Sequence, residues 1–128
     1  MKRILLICTL TFSSNIFAGQ NHSFENKYLK IMEESNIAQH SELRFKEIHK
    51  DQNLNQAEKI EAKRLKCSSL MNERRFYELV TKYPKEYVTY LNEQGLNVDS
   101  NQSKIDSELR EAKQKISFNG CDATQINY

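Results

Sequence analysis

Residues that interrupt helices are scarce in this chain: 128 residues contain one proline, Pro84, and three glycines, Gly19, Gly95 and Gly120. So few turn residues exclude a fold of many short strands and favour long helices. Tryptophan is absent. Long apolar runs are missing too. The best, Ile4 to Phe12, covers about half of a hydrocarbon core roughly 30 Å thick, so a retained membrane anchor is not expected.

The motifs that specify chemistry are also missing. No C-x-x-C, G-x-S-x-G, G-x-x-x-x-G-K-[ST] or G-x-G-x-x-G occurs. Of the histidines His22, His40 and His49, the last two have no second ligand one helical turn away. Ile37 and Lys46 stand three residues before His40 and His49, and Arg44 and Asn53 four residues after them. The close carboxylates Glu33 with Glu34 and Glu58 with Glu61 read as solvated helix faces, since Lys59 and Arg64 lie beside the second pair. The sequence therefore names no catalytic residue, no cofactor and no metal site, and the expectation is a protein that is not an enzyme.

What is present begins with a leader. Lys2 and Arg3 precede the apolar stretch, and Ser13, Ser14 and Asn15 lead to Ile16-Phe17-Ala18, the three-part build of a secretory signal. The expected cut follows Ala18, with the bonds after Gly19 and Gln20 as alternatives. Residues 1–18 are thus expected to be a signal peptide and residues 19–128 a single helical domain, periplasmic or secreted. Loss of Lys2 and Arg3 leaves 17 basic against 17 acidic residues, so the formal charge of +2 falls to zero. A balanced chain with interleaved acids and bases gives no grounds for nucleic-acid binding.

The leader also carries Cys8, which leaves Cys67 and Cys121 as the only pair. In an oxidising compartment they are expected to form a disulfide. Closing a loop of about 55 residues would add about 4 kcal/mol of stability, a large share of the total for a small domain.

Periodicity divides the rest into four or five helices. A first stripe runs from a Ser23 cap through Phe24, Tyr28, Ile31, Met32 and Ser35. After a break at Ser35-Asn36 or a kink there, it resumes with Ile37, Ala38, Ser41, Phe45 and Ile48. The longest helix is expected over residues 55–82, with Ala57, Ile60, Cys67, Leu70, Met71, Phe76, Leu79 and Val80 as its apolar set. Pro84 ends it and starts another, which buries Tyr87, Val88 and Leu91 and stops at Gly95. A last helix, capped by Asp99 or Ser100, carries Ile105, Leu109, Ala112 and Ile116 to Gly120, so that Cys121 would pin its end to the longest helix. The fold class is all-α: a small bundle of four or five helices with one disulfide.

Two features stand out as a candidate partner surface. One is the basic stretch containing Lys63, Arg64, Lys66, Arg74 and Arg75; the other is the aromatic group Phe76, Tyr77, Tyr83, Tyr87 and Tyr90. Tyr and Arg are enriched where binding energy concentrates, which selects Lys66, Arg74, Arg75, Tyr77 and Tyr90. The leading expectation is an exported protein-binding module, an inhibitor or immunity-type protein acting on a toxin or hydrolase in the envelope. The alternatives are a periplasmic stress chaperone and, third, an uncharacterised enzyme. In layout the chain is similar to small periplasmic immunity proteins and stress chaperones, a likeness of helical build and not of motif.

Overall fold

A computed structural model describes the backbone of residues 11–96 and 101–121, with side chains from residue 23 onward. Within these residues the chain forms four helices and no strand: α1 (Thr11–Ile48), α2 (Gln56–Lys82), α3 (Pro84–Glu93) and α4 (Gln102–Phe118). The first ten residues of the expected leader and the expected caps Asp99 and Ser100 lie outside the described residues.

α1 is one continuous helix, without a break at Ser35-Asn36, and it already runs at Thr11 where a start near Ser23 was expected. The stretch from Thr11 to Ser23 holds no proline, and a single Gly or Asn costs about 1 kcal/mol or less, too little to stop a helix. Ser23 is therefore an internal residue and caps nothing. Among described side chains the first buried one is Phe24, so a cut after Ala18 would remove none of the described core.

α2 begins with a complete capping box. The Asn55 side chain accepts from the Glu58 backbone N–H at 2.9 Å, and the Glu58 carboxylate accepts from the Asn55 N–H at 2.7 Å. Two otherwise unpaired helix donors are satisfied at once. Asn55→Ala is expected to cost about 1 kcal/mol of unfolding free energy, measurable by urea denaturation. Pro84 occupies the first turn of α3, where its missing N–H deprives the helix of nothing. α4 is capped by Asn101, whose side chain accepts from the Ser103 N–H at 3.1 Å.

α3 and α4 end alike. Gly95 and Gly120 take φ of 72° and 60°, the left-handed region. The amides one residue on, at Leu96 and Cys121, then return to Leu91 and Ile116 carbonyls at 2.9 and 3.1 Å. This Schellman closure folds Cys121 back over Ile116. There, Cys67, Leu70, Ile116 and Cys121 form one buried cluster, and the Cys67–Cys121 disulfide is formed with its Cα atoms 5.5 Å apart.

α2 is the central element. One side packs antiparallel against α1, bringing Leu79 to Phe24 and Ile31. The other packs against α4, where Leu70 meets Ile116 and Lys115 reaches Glu73 at 3.4 Å. α3 closes one end through an aromatic group: the Phe24 ring lies 5.9 to 6.5 Å from Tyr28, Tyr83, Tyr87 and Tyr90. Serving two neighbours, α2 buries Leu65, Ser68 and Asn72 beside Cys67, Leu70, Leu79 and Val80 of its expected apolar set; Met71 and Phe76 are half-buried, and Ala57 and Ile60 face solvent.

One buried carboxylate ties α1 to α2. Glu42, only 12% exposed at its side chain, receives Lys46 Nζ at 2.6 Å and faces Lys66 Nζ at 3.7 Å. Burial alone pushes its pKa up, but the Lys46 hydrogen bond, the Lys66 and Lys46 charges and a Ser69 hydrogen bond outweigh it and hold the carboxyl below the usual glutamate range. A folded-state pKa below the unfolded one means stability that is complete above the unfolded value of about 4.3 and lost as pH falls through the folded one. Acid denaturation followed by circular dichroism should therefore show a smaller loss below that pH for Glu42→Gln than for the parent.

Candidate interaction surface

Between α1 and α2 lies an open hollow of about 680 Å³ lined by residues of these two helices alone. Its origin is small side chains at the seam. Ala38 and Ser41 from α1 face Ser68 and Asn72 from α2, spaced three and four residues apart so that each pair shares a helix face. Helices so lined leave space where Leu or Ile would interdigitate. Leu65 floors the hollow, and Ile37, 60% exposed, stands at its rim.

Charged groups frame it. Arg75 spans the seam to form an ion pair with Glu34 of α1, and its guanidinium also donates to the Asn72 side chain at 3.1 Å. Arg64, eleven residues earlier on α2 and so about 20° away round the helix, pairs with Glu61 through two 2.7 Å hydrogen bonds. The Arg64 hydrogen bond holds the Glu61 carboxyl below its ordinary range, partly opposed by burial.

A second hollow of about 410 Å³ continues along the seam past Arg75. Its lining is Ile31 and Leu79 with Lys27, Lys30, Glu78, Lys82 and Tyr83. Lys27 and Lys82 place their ammonium groups 5.5 and 5.4 Å from the centre of the Tyr83 ring, close enough for attraction to the ring's negative face.

The five residues singled out from sequence do not form one patch. Arg75 lines both hollows. Lys66 turns to Glu42, and Arg74 lies 3.1 Å from Glu78 on its own helix. Tyr77 faces α4 in a small cavity with Lys104, Ile105 and Glu108. Burial, then the Glu108 and Glu73 charges, push its hydroxyl pKa up against the opposing pull of Lys115. Tyr90 joins the aromatic group, its ring 5.1 Å from Tyr28. Sequence reasoning therefore found Arg75 but missed Ile37, Ala38, Ser41, Ser68 and Asn72. The recurring small residues at helical spacing were the available signal.

Glu58 and Glu61, weighed as an acid–base pair, are engaged separately, one in the capping box and one with Arg64. His40 is exposed, and His49 lies tilted against Phe45 with ring centres 4.4 Å apart and its Nδ1 3.8 Å from Glu58. Among the described residues no group of three His, Cys, Asp or Glu side chains could hold a metal ion, and no helix is long and apolar enough to cross a membrane. No family model, no curated protein and no solved structure matches the chain.

Proposed function

We propose that this protein is exported to the periplasm or beyond after loss of residues 1–18, and that it acts as a binding module for another protein. The observation that carries the reading is the open α1/α2 seam. Leu43 and Ile60 are as exposed as Ile37, but Ile37 stands beside a hollow floored by Leu65 and Ala38, where the apolar side chain of a partner has a place to seat. Export is supported by the Cys67–Cys121 bridge, a bond that persists in oxidising compartments.

An inhibitor or immunity-type role against an envelope toxin or hydrolase is the form of binding that suits a small cross-linked body. The test is affinity capture on the oxidised protein from envelope and secreted fractions, beside an Ile37→Asp variant. A stoichiometric partner that the variant loses supports the reading. Many weak clients retained equally by both proteins would contradict it in favour of a chaperone, and capture of no protein at all would overturn it.

A further inference from the structure

The two hollows share Arg75, whose ion pair with Glu34 crosses the seam between them, and together they make a trough in two parts along the α1/α2 seam. From Arg64 to Lys82 it follows about 27 Å of α2, the length of a helix of about 18 residues. Its ends differ in chemistry. Around Ile37, Ala38 and Leu65 the floor is apolar, with the short polar side chains Ser41, Ser68 and Asn72 between. Toward Lys82 the walls are basic, with Lys27 and Lys30 from α1 opposite Lys82 of α2.

The charge balance of the trough is unlike that of the chain. Five cations line it, Lys27, Lys30, Arg64, Arg75 and Lys82, against two carboxylates. The carboxylates are already engaged: Glu34 with Arg75, with Lys30 4.0 Å away, and Glu78 with Arg74. Among the described residues neither Lys27 nor Lys82 has a carboxylate partner; both are drawn to the Tyr83 ring instead. Residues 19–128 carry a formal charge of zero, 17 bases against 17 acids, so the surplus of cations at this seam is offset by acids elsewhere on the protein.

We propose that the trough takes an acidic amphipathic helix of the partner protein. Its apolar side chains would seat over Ile37, Ala38 and Leu65, and its carboxylates would meet Lys27, Lys30 and Lys82. The inference rests on the protein-binding reading above and names the partner's chemistry. Helix-in-groove docking needs an apolar floor flanked by complementary charge, and the seam supplies both in one line. A phosphate backbone fits less well, because it has nothing to set against exposed Ile37 and the apolar floor of Ala38 and Leu65.

The probe is a synthetic helical peptide of about 18 residues, with Leu at three- and four-residue steps in one half and Glu in the other, beside a copy with every Glu changed to Lys. Each is titrated into the isotopically labelled, oxidised protein and followed by amide NMR shifts and fluorescence anisotropy. The acidic peptide is expected to shift Lys27, Ile37, Ser68, Asn72 and Lys82, with the basic copy at least about tenfold weaker. Lys27→Glu with Lys82→Glu, both at the surface, should invert that preference, and Ile37→Asp should weaken the acidic peptide without altering the thermal midpoint. Equal binding of the two peptides, binding of neither, or shifts confined to α4 would overturn the proposal, as would a short DNA duplex that outcompetes the acidic peptide. The parent reading fails separately. If a captured partner binds the doubly reversed variant as well as the parent, the trough assignment falls while protein binding stands; if no partner is captured, the binding reading itself falls.

Discussion

Replacing Cys67 and Cys121 together by Ser is expected to lower the unfolding free energy by about 4 kcal/mol and the thermal midpoint by on the order of 15 °C. The bridge spans 54 residues, so in the unfolded chain it removes the conformations of nearly half the protein. Its local role is as large. Cys67 and Cys121 are half of the buried cluster that fixes the end of α4 on the middle of α2, the other half being Leu70 and Ile116. Calorimetry gives the global loss. Hydrogen exchange should place the first lost protection in α4, with α1 and the first turns of α2 following only near global unfolding. Uniform loss across all four helices would show that the bridge acts through the unfolded chain alone.

Phe24→Ala is expected to cost about 4 kcal/mol, the largest effect of any single truncation in α1. Phe24 is 3% exposed and its ring is the common neighbour of Tyr28, Tyr83, Tyr87 and Tyr90. Each well-placed ring pair adds roughly 0.5–1.5 kcal/mol beyond the area it buries. Burial, then the neighbouring Tyr87 and Tyr90 hydroxyls, raise the Tyr28 pKa, so these rings share a poorly solvated site. Removal of Phe24 should therefore detach α3 from α1, seen as increased tyrosine exposure to a quencher before the helical signal falls. Phe24→Leu, which keeps most of the volume, is expected to lose less than half as much.

Much of this architecture was legible because it is written in local chemistry. Pro84 and Gly95 bound α3, Gly120 ends α4, Asn55 opens α2, and the pairing of Cys67 with Cys121 followed from their being the two cysteines beyond the expected leader. The start of α1 was not legible, since Ser23 has the chemistry of a cap but lies in a stretch with nothing to stop a helix before it. Nor was the double duty of α2. A single apolar stripe cannot show that Ser68 and Asn72 face α1 while Cys67, Leu70 and Val80 face the opposite side.

The candidate site was the least legible part for a physical reason. Searching for apolar periodicity and for Tyr and Arg finds what fills space, whereas the trough is defined by what leaves it empty. Ala38 and Ser41 appeared as members of a packing stripe, and their pairing with Ser68 and Asn72 depends on the register of two antiparallel helices. Lys66, Arg74, Tyr77 and Tyr90 are near Arg75 in sequence or in composition, but each is turned to a different neighbour.

The most direct measurement is site-specific photo-crosslinking in the native envelope or secreted fraction, with the crosslinker placed in turn at Ile37 and at Phe118. Phe118, 92% exposed on α4, is the most exposed large apolar side chain among the described residues, so it serves as the competing surface. A protein adduct at Ile37 and none at Phe118 is the expected result. An adduct at Phe118 with none at Ile37 would contradict the assignment of the α1/α2 seam as the docking face.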